Sequence, residues 1–206
     1  MAARNASAVT LRLNRRSGDP YSYTASMTYQ LDGAAMLVTL QVRNTGTVTL
    51  PFGLGLHPWM PRSADVQLRA AAPHVWLSGE DYLPLRQGPT PAQWDFARCQ
   101  ILPDHLVNHA FSGWDGHAEI WWPELRLCLT LDAEAQYYIL YTPVGADYFC
   151  FEPVDHAINA HNLAGGPMLN GLTLLAPQQQ LQRRYRFGVS RKPAGGENQE
   201  RDPAGP

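Results

Sequence analysis

The stretch Pro51-Phe52-Gly53-Leu54-Gly55-Leu56-His57-Pro58-Trp59 decides how the chain is read. It follows residues 36–42, where apolar and polar side chains alternate with the period of a half-buried strand. Asn44-Thr45-Gly46 supplies a turn, and a second extended run, 48–56, carries one histidine to its far end. Glycines on either side of Leu54 permit close backbone approach or a bulge. Pro58 has no N–H to give and disfavours helix at His57, so sheet pairing should stop there. An imidazole is therefore expected at the rim of a sheet, beside the indole of Trp59. By itself this pattern fits a histidine hydrogen-bonded at a strand end better than it fits a working group.

Outward from that stretch, the alternation persists. Residues 9–13 alternate, Ser17-Gly18-Asp19-Pro20 turns, and 21–31 place Tyr21, Tyr23, Ala25, Met27, Tyr29 and Leu31 on one face. Asp32-Gly33 closes a hairpin into 35–42. Downstream, 66–68 and 74–77 read as short strands, and the prolines at 84, 89 and 91 mark a long surface loop. Residues 104–111 hold the one plausible helical turn. Strands are expected again at 118–122, 126–131, 137–141, 148–151, 171–175 and 181–189. No segment carries a 3.6-residue stripe over three turns, so the expected fold is an all-β sandwich of mostly antiparallel strands. One domain over 9–190 is expected, with a disordered N-terminus (1–8) and a disordered tail (191–206) that has no core residues.

The totals narrow the function. The 206 residues are enough to bury a large core; hydrophobic residues make up 45% and charged ones 17%, with a formal net charge of -2. Such a chain lacks the basic field that phosphate backbones demand, so no nucleic-acid partner is expected. Arg183, Arg184 and Arg186 read as a solvated sheet edge. Cys99, Cys128 and Cys150 form no CxxC, and the last two sit in apolar alternating runs as small buried hydrophobes. That suits a reducing compartment. No apolar run reaches membrane-spanning length, and Met1-Ala2-Ala3-Arg4-Asn5 shows no signal-peptide core, so a cytoplasmic protein without a membrane partner is expected.

Chemistry concentrates in two further stretches. Tyr148-Phe149-Cys150-Phe151-Glu152-Pro153 is an apolar strand ending in a carboxylate that proline again follows. A carboxylate buried beside Phe151 must be paired or hydrogen-bonded, and burial raises its pKa toward values useful for proton transfer. The other is Asn108-His109-Ala110-Phe111-Ser112-Gly113-Trp114-Asp115-Gly116-His117. His105, His109 and His117 lack a metal-binding pattern, so no metal is expected from them. Gly53-Leu54-Gly55 is no phosphate loop, since no helix pattern follows, and no Gly-x-Ser-x-Gly elbow occurs.

Taken together, five blocks carry a family resemblance. Arg43-Asn44-Thr45, the 51–59 stretch, Phe111-Ser112-Gly113-Trp114-Asp115-Gly116, Phe149 to Pro153, and Asn159-Ala160-His161-Asn162-Leu163 resemble the aldose 1-epimerase (galactose mutarotase-like) family, over about 9–189. The resemblance implies a β-supersandwich with a sugar cleft, His57 as general acid and Glu152 as general base. It implies substrate contacts from Asn44, Trp59, Asn108, Asp115 and Asn162, with Asn108 standing where the family usually has aspartate. No cofactor, metal or organic, is implied. A non-catalytic carbohydrate-binding or regulatory protein on the same scaffold, or a truncated inactive product, is the alternative. The family carries further strands, with an Asn-Arg pair and another histidine, ahead of the part matching Val9. A domain truncated at its N-terminus is therefore expected, with a homodimer or a partner chain covering the face left bare.

Overall fold

The computed structural model describes residues 3–4, 6–16 and 20–191. The chain opens as a meander: β1 (Ala3–Arg4), β2 (Ala8–Arg15), β3 (Tyr23–Asp32) and β4 (Ala35–Asn44), with Gly33 taking a positive φ in the hairpin between β3 and β4. Short strands follow: β5 (Leu50–Phe52), β6 (Trp59–Pro61), β7 (Gln67–Arg69), β8 (His74–Ser78), β9 (Pro84–Pro89) and β10 (Gln100–Ile101). The rest of the sheet framework comes from β11 (Asn108–Ser112), β12 (His117–Trp122), β13 (Leu127–Ala133), β14 (Tyr137–Tyr141) and β15 (Tyr148–Val154). A short α-helix, α1 (Gly166–Leu169), precedes β16 (Thr173–Leu175) and the long β17 (Gln180–Arg191).

These strands make a nine-stranded sheet in the order β1-β2-β3-β4-β17-β13-β12-β7-β10, and a six-stranded sheet in the order β6-β15-β14-β11-β8-β9. A small β16-β5 pair stands apart. Strand pairing within the sheets is antiparallel, as the alternating patterns require. The inner faces meet in one core. Leu68, Ile120, Leu131 and Val38 come from the large sheet; Phe149, Phe151, Tyr138, Leu140 and Phe111 from the small one. Tyr138 stacks between Phe111 (4.8 Å) and Phe151 (4.7 Å), and Trp114 meets it edge-on. Its buried hydroxyl donates to the Ala70 carbonyl, so the ring brings no unpaired polar group inside.

Several expectations need correction. The proline-rich segment is partly strand: β9 pairs with β8 along the sheet edge, where a residue without an N–H costs nothing on the open side. Residues 104–111 form no helix. Instead the segment holds β11, with Ala110, Phe111 and Ser112 all buried, lying between β14 and β8. The extended run 48–56 is strand only at Leu50–Phe52, because glycines 53 and 55 and Pro51 leave little ladder to extend. Ala3 and Arg4 add an edge strand where a loose N-terminus was expected; the tail from 192 onward lies outside the described residues. Most consequential, β17 is a central strand rather than a solvated edge, so its arginines are placed by their neighbours on β4 and β13.

Candidate active site

Two segments distant in sequence run side by side to make the site. β6 pairs antiparallel with β15, with Trp59 opposite Cys150 and Pro61 opposite Tyr148. Further along, Gly55 bridges Val154 in the same register. Between these points the register sets His57 opposite Glu152, at the place where Pro58 removes a ladder donor. Leu56 N–H donates to the Pro153 carbonyl and Asp155 N–H to the Leu54 carbonyl, which fixes the segment on either side of Gly55.

Glycine makes that close approach possible. A Cβ on Gly53 would collide with the His156 ring, and one on Gly55 would come within 2.5 Å of Val154 Cγ1. A buried acid holds the same stretch from below. Asp155 accepts the Leu54 N–H through Oδ2 (3.0 Å) and Arg183 Nε through Oδ1 (2.8 Å). Burial pushes the Asp155 carboxyl up, and the Arg183 guanidinium pulls it back. Arg183 thus points to an internal partner, while Arg184 reaches toward Glu134 at 3.9 Å.

His57 Nε2 lies 3.3 Å from Glu152 Oε1, with the imidazole side chain 58% exposed and the carboxylate 10% exposed. The two groups are in contact, closer than the width of a pyranose ring. Burial raises the Glu152 pKa, and the neighbouring His57 partly opposes that rise. Because the imidazole is open to solvent and the carboxylate is not, His57 is the member free to swing aside. His57 stacks on Trp59 (5.9 Å, 23°), and Trp59 packs against Tyr148 at 4.3 Å.

Directly paired residues of antiparallel strands share a face. Trp59, Cys150, Tyr141 and Asn108 therefore form one row across the outer face of the small sheet, and Glu152 lies on the same face. Of the residues expected at the site, the fold brings together His57, Glu152 and Trp59, with Asn108 two strands from Glu152. Asn44 is elsewhere: it is fully buried, and its amide donates to the Val48 and Leu175 carbonyls while its oxygen accepts the Gly46 N–H. With its hydrogen-bonding capacity spent on the backbone, Asn44 is a loop anchor. Asp115 caps a turn by accepting the His117 N–H, and lines recesses with Glu134 rather than with His57. Asn162 is exposed in the loop after β15 and donates to Asn159.

The histidines of the third block have structural partners. Trp94 donates to His105 Nε2, His109 Nδ1 sits 3.2 Å from Ser78 Oγ, and His117 Nδ1 lies 2.7 Å from Asp132. Cys150 was missed as a site residue. Its sulfur lies within 4.8 Å of ligand atoms of both His57 and Glu152. The i, i+2 spacing of Cys150 and Glu152 on one strand carried that signal, since it puts both on one face.

Fold and site together define a galactose mutarotase-like β-sandwich bearing an imidazole–carboxylate pair on an aromatic sheet face. The chain belongs to the aldose 1-epimerase family, whose sequence pattern it matches over residues 2–188. It is 34% identical over 174 residues to the uncharacterized protein YphB of Escherichia coli K12, covering 79% of this chain and 58% of that one. The chain thus spans little more than half the length of this curated relative. It superposes with a TM-score of 0.86 on the crystal structure of a putative aldose 1-epimerase from Escherichia coli K12, at 31% identity, covering 93% of this chain and 68% of that one. A galactose 1-epimerase structure from Lactobacillus acidophilus has the same fold, with a TM-score of 0.73 at 17% identity, covering 92% and 65% of the two chains.

Proposed function

We propose that the chain interconverts the anomers of an aldose by acid–base ring opening at His57 and Glu152. Glu152 takes the proton from the anomeric hydroxyl as His57 protonates the ring oxygen, which breaks the C1–O5 bond. Rotation about C1–C2 and the reverse transfers close the other anomer. The observation that carries this reading is the contact between an exposed imidazole and a buried carboxylate whose pKa burial raises, on a face lined by aromatic rings. Two matched proton-transfer groups supply roughly 10²–10⁴-fold each, and the uncharged sugar needs no metal to open. Trp59 offers a stacking surface for the sugar's C–H face, and Asn108 can both donate to and accept from a hydroxyl.

Polarimetry of freshly dissolved α-D-glucose and α-D-galactose tests the proposal. Faster mutarotation with the protein than without it, lost in Glu152→Gln, is the expected result; unchanged rates with every aldose tried would refute it. The three widely spaced cysteines, Cys99, Cys128 and Cys150, with no CxxC among them, support placement in a reducing compartment, the cytoplasm. Among the described residues no helix is long and apolar enough to cross a membrane. Self-association through the bare flank of the large sheet is also proposed, supported by exposed Leu11, Leu13 and Leu31. Sedimentation that gives a monomer at all concentrations would count against it.

A further inference from the structure

The segment that carries His57 has little ladder of its own. β5 ends at Phe52 and β6 begins at Trp59, so residues 53–58 cross between strands with two glycines among them. What fixes them comes from the end of β15. The Gly55–Val154 bridge and the Leu56 N–H to the Pro153 carbonyl are backbone to backbone. The Asp155 carboxylate adds a side-chain hold. Leu54 N–H donates to Oδ2 at 3.0 Å while Asp155 N–H donates to the Leu54 carbonyl at 3.0 Å, so the two residues grip each other twice. Oδ1 accepts Arg183 Nε at 2.8 Å, and the Asp155 side chain is only 2% exposed. Arg183 stands on β17 in the large sheet, and β15 belongs to the small one. One buried carboxylate therefore ties both sheets to a residue three positions ahead of His57.

We infer that Asp155, oriented by Arg183, is the positioning residue that sets His57 Nε2 against Glu152 Oε1. Its kinetic consequence rests on the ring-opening reading; its structural consequence does not. A carboxylate suits the place because two donors must be accepted at once, one on each oxygen, and the guanidinium offsets the cost of burying the charge. Arg183 also fixes the carboxylate's rotation, which aims Oδ2 at the Leu54 N–H. The surroundings hold residue 155 in turn. A Cβ on Gly171 would strike the Asp155 carbonyl oxygen, and one on Gly53 would strike the neighbouring His156 ring, so chain closes on the anchor from both sides. The His57 side chain is 58% exposed, which leaves much of its placing to the backbone that Asp155 secures.

The test reads the His57–Glu152 contact without sugar, by following the Glu152 carboxyl titration with carbon-13 NMR on the full chain. Burial raises the Glu152 pKa and His57 opposes the rise, so moving His57 away should raise it further. Asp155→Ala is expected to raise the Glu152 titration in the direction that His57→Asn does, and the two changes together should add little to either alone. Loss of the Asp155 charge by itself would act with the opposite sign, because a nearby anion holds a carboxyl up. Asp155→Asn removes the same charge but keeps an acceptor for the Leu54 N–H, and should recover part of the wild-type titration. In anomer exchange, Asp155→Ala should lower kcat by about 10–100-fold with KM changed by no more than about twofold, again partly recovered in Asp155→Asn. Arg184→Gln, at the exposed pair with Glu134, should leave both readings as in wild type. A Glu152 titration that is lowered or unmoved in Asp155→Ala, or equal effects of Ala and Asn, would overturn the inference. A wild-type chain inactive on every aldose would instead refute the ring-opening reading, and the carboxyl titration would still decide the role of Asp155.

Discussion

The large sheet has two halves built from the same alternating pattern, and they meet different fates. On β12, β13 and β4 the inward residues Ile120, Leu131 and Val38 are at most 1% exposed, because the small sheet lies over them. On β2 and β3 the equivalent residues Leu11, Leu13 and Leu31 are 45%, 54% and 63% exposed. Register puts these on the same side: Leu11 pairs with Met27, which pairs with Leu40. Alternation thus reports which way a side chain points, and only the partner sheet decides whether water is excluded there. The site sits at the boundary between the halves. A recess of roughly 690 Å³ runs from Met27, Tyr29 and Met36 of the bare half to His57 and Trp59.

That contrast predicts a steep gradient of mutational cost. Phe151→Ala, at a fully buried ring stacked on Tyr138, should destabilise by about 3–5 kcal/mol in chemical denaturation. A cost below 1 kcal/mol would mean the covered half is not packed as described. Gly53→Ala should cost about 1–3 kcal/mol, since the added methyl strikes the His156 ring and pushes the segment carrying His57 off β15. Its sharper signature is a fall in the proposed mutarotase activity beyond the stability loss. Asp155→Ala should cost about 1–3 kcal/mol by leaving the Leu54 N–H and the half-buried Arg183 without their acceptor. Leu13→Ala, in the bare half, should stay within about 0.5 kcal/mol for the monomer. A larger, concentration-dependent loss there would instead reveal that the flank is covered by a second chain.

Protonation gives a further comparison across the seam. Glu152 has a raised folded pKa, so the native state keeps its proton to higher pH than the unfolded chain does. Stability from this group therefore falls as pH rises from the ordinary carboxylate range through the raised value, then levels off. Asp155 has the same sign. Glu152→Gln should flatten part of that decline in denaturation midpoints measured from acid to neutral pH; an unchanged slope would contradict the burial of its charge.

The framework was legible because strand alternation is local. The runs at 35–42, 137–141 and 181–189 each lie within an observed strand. What failed was long-range. The place of β17 in the middle of the large sheet, which turns Arg183 inward, depends on pairing with β4 and β13. Asn44 reads as a polar turn residue in sequence, yet the return of β16 buries it under the Leu175 carbonyl. His57 and Glu152 could be singled out because each precedes a proline at the end of an apolar run. Their direct contact, and the sulfur beside it, follow only from the shared register of two segments nearly a hundred positions apart.

The most direct test is a double-mutant cycle on anomer exchange, followed by NMR line exchange or polarimetry with the preferred aldose. His57→Asn and Glu152→Gln should each reduce the rate by about 10²–10⁴-fold, and the double variant should be no slower than the worse single one, because the two groups act as one unit. Rates that stay at the wild-type level in both singles, or losses that multiply in the double, would show that His57 and Glu152 do not work as a proton-transfer pair.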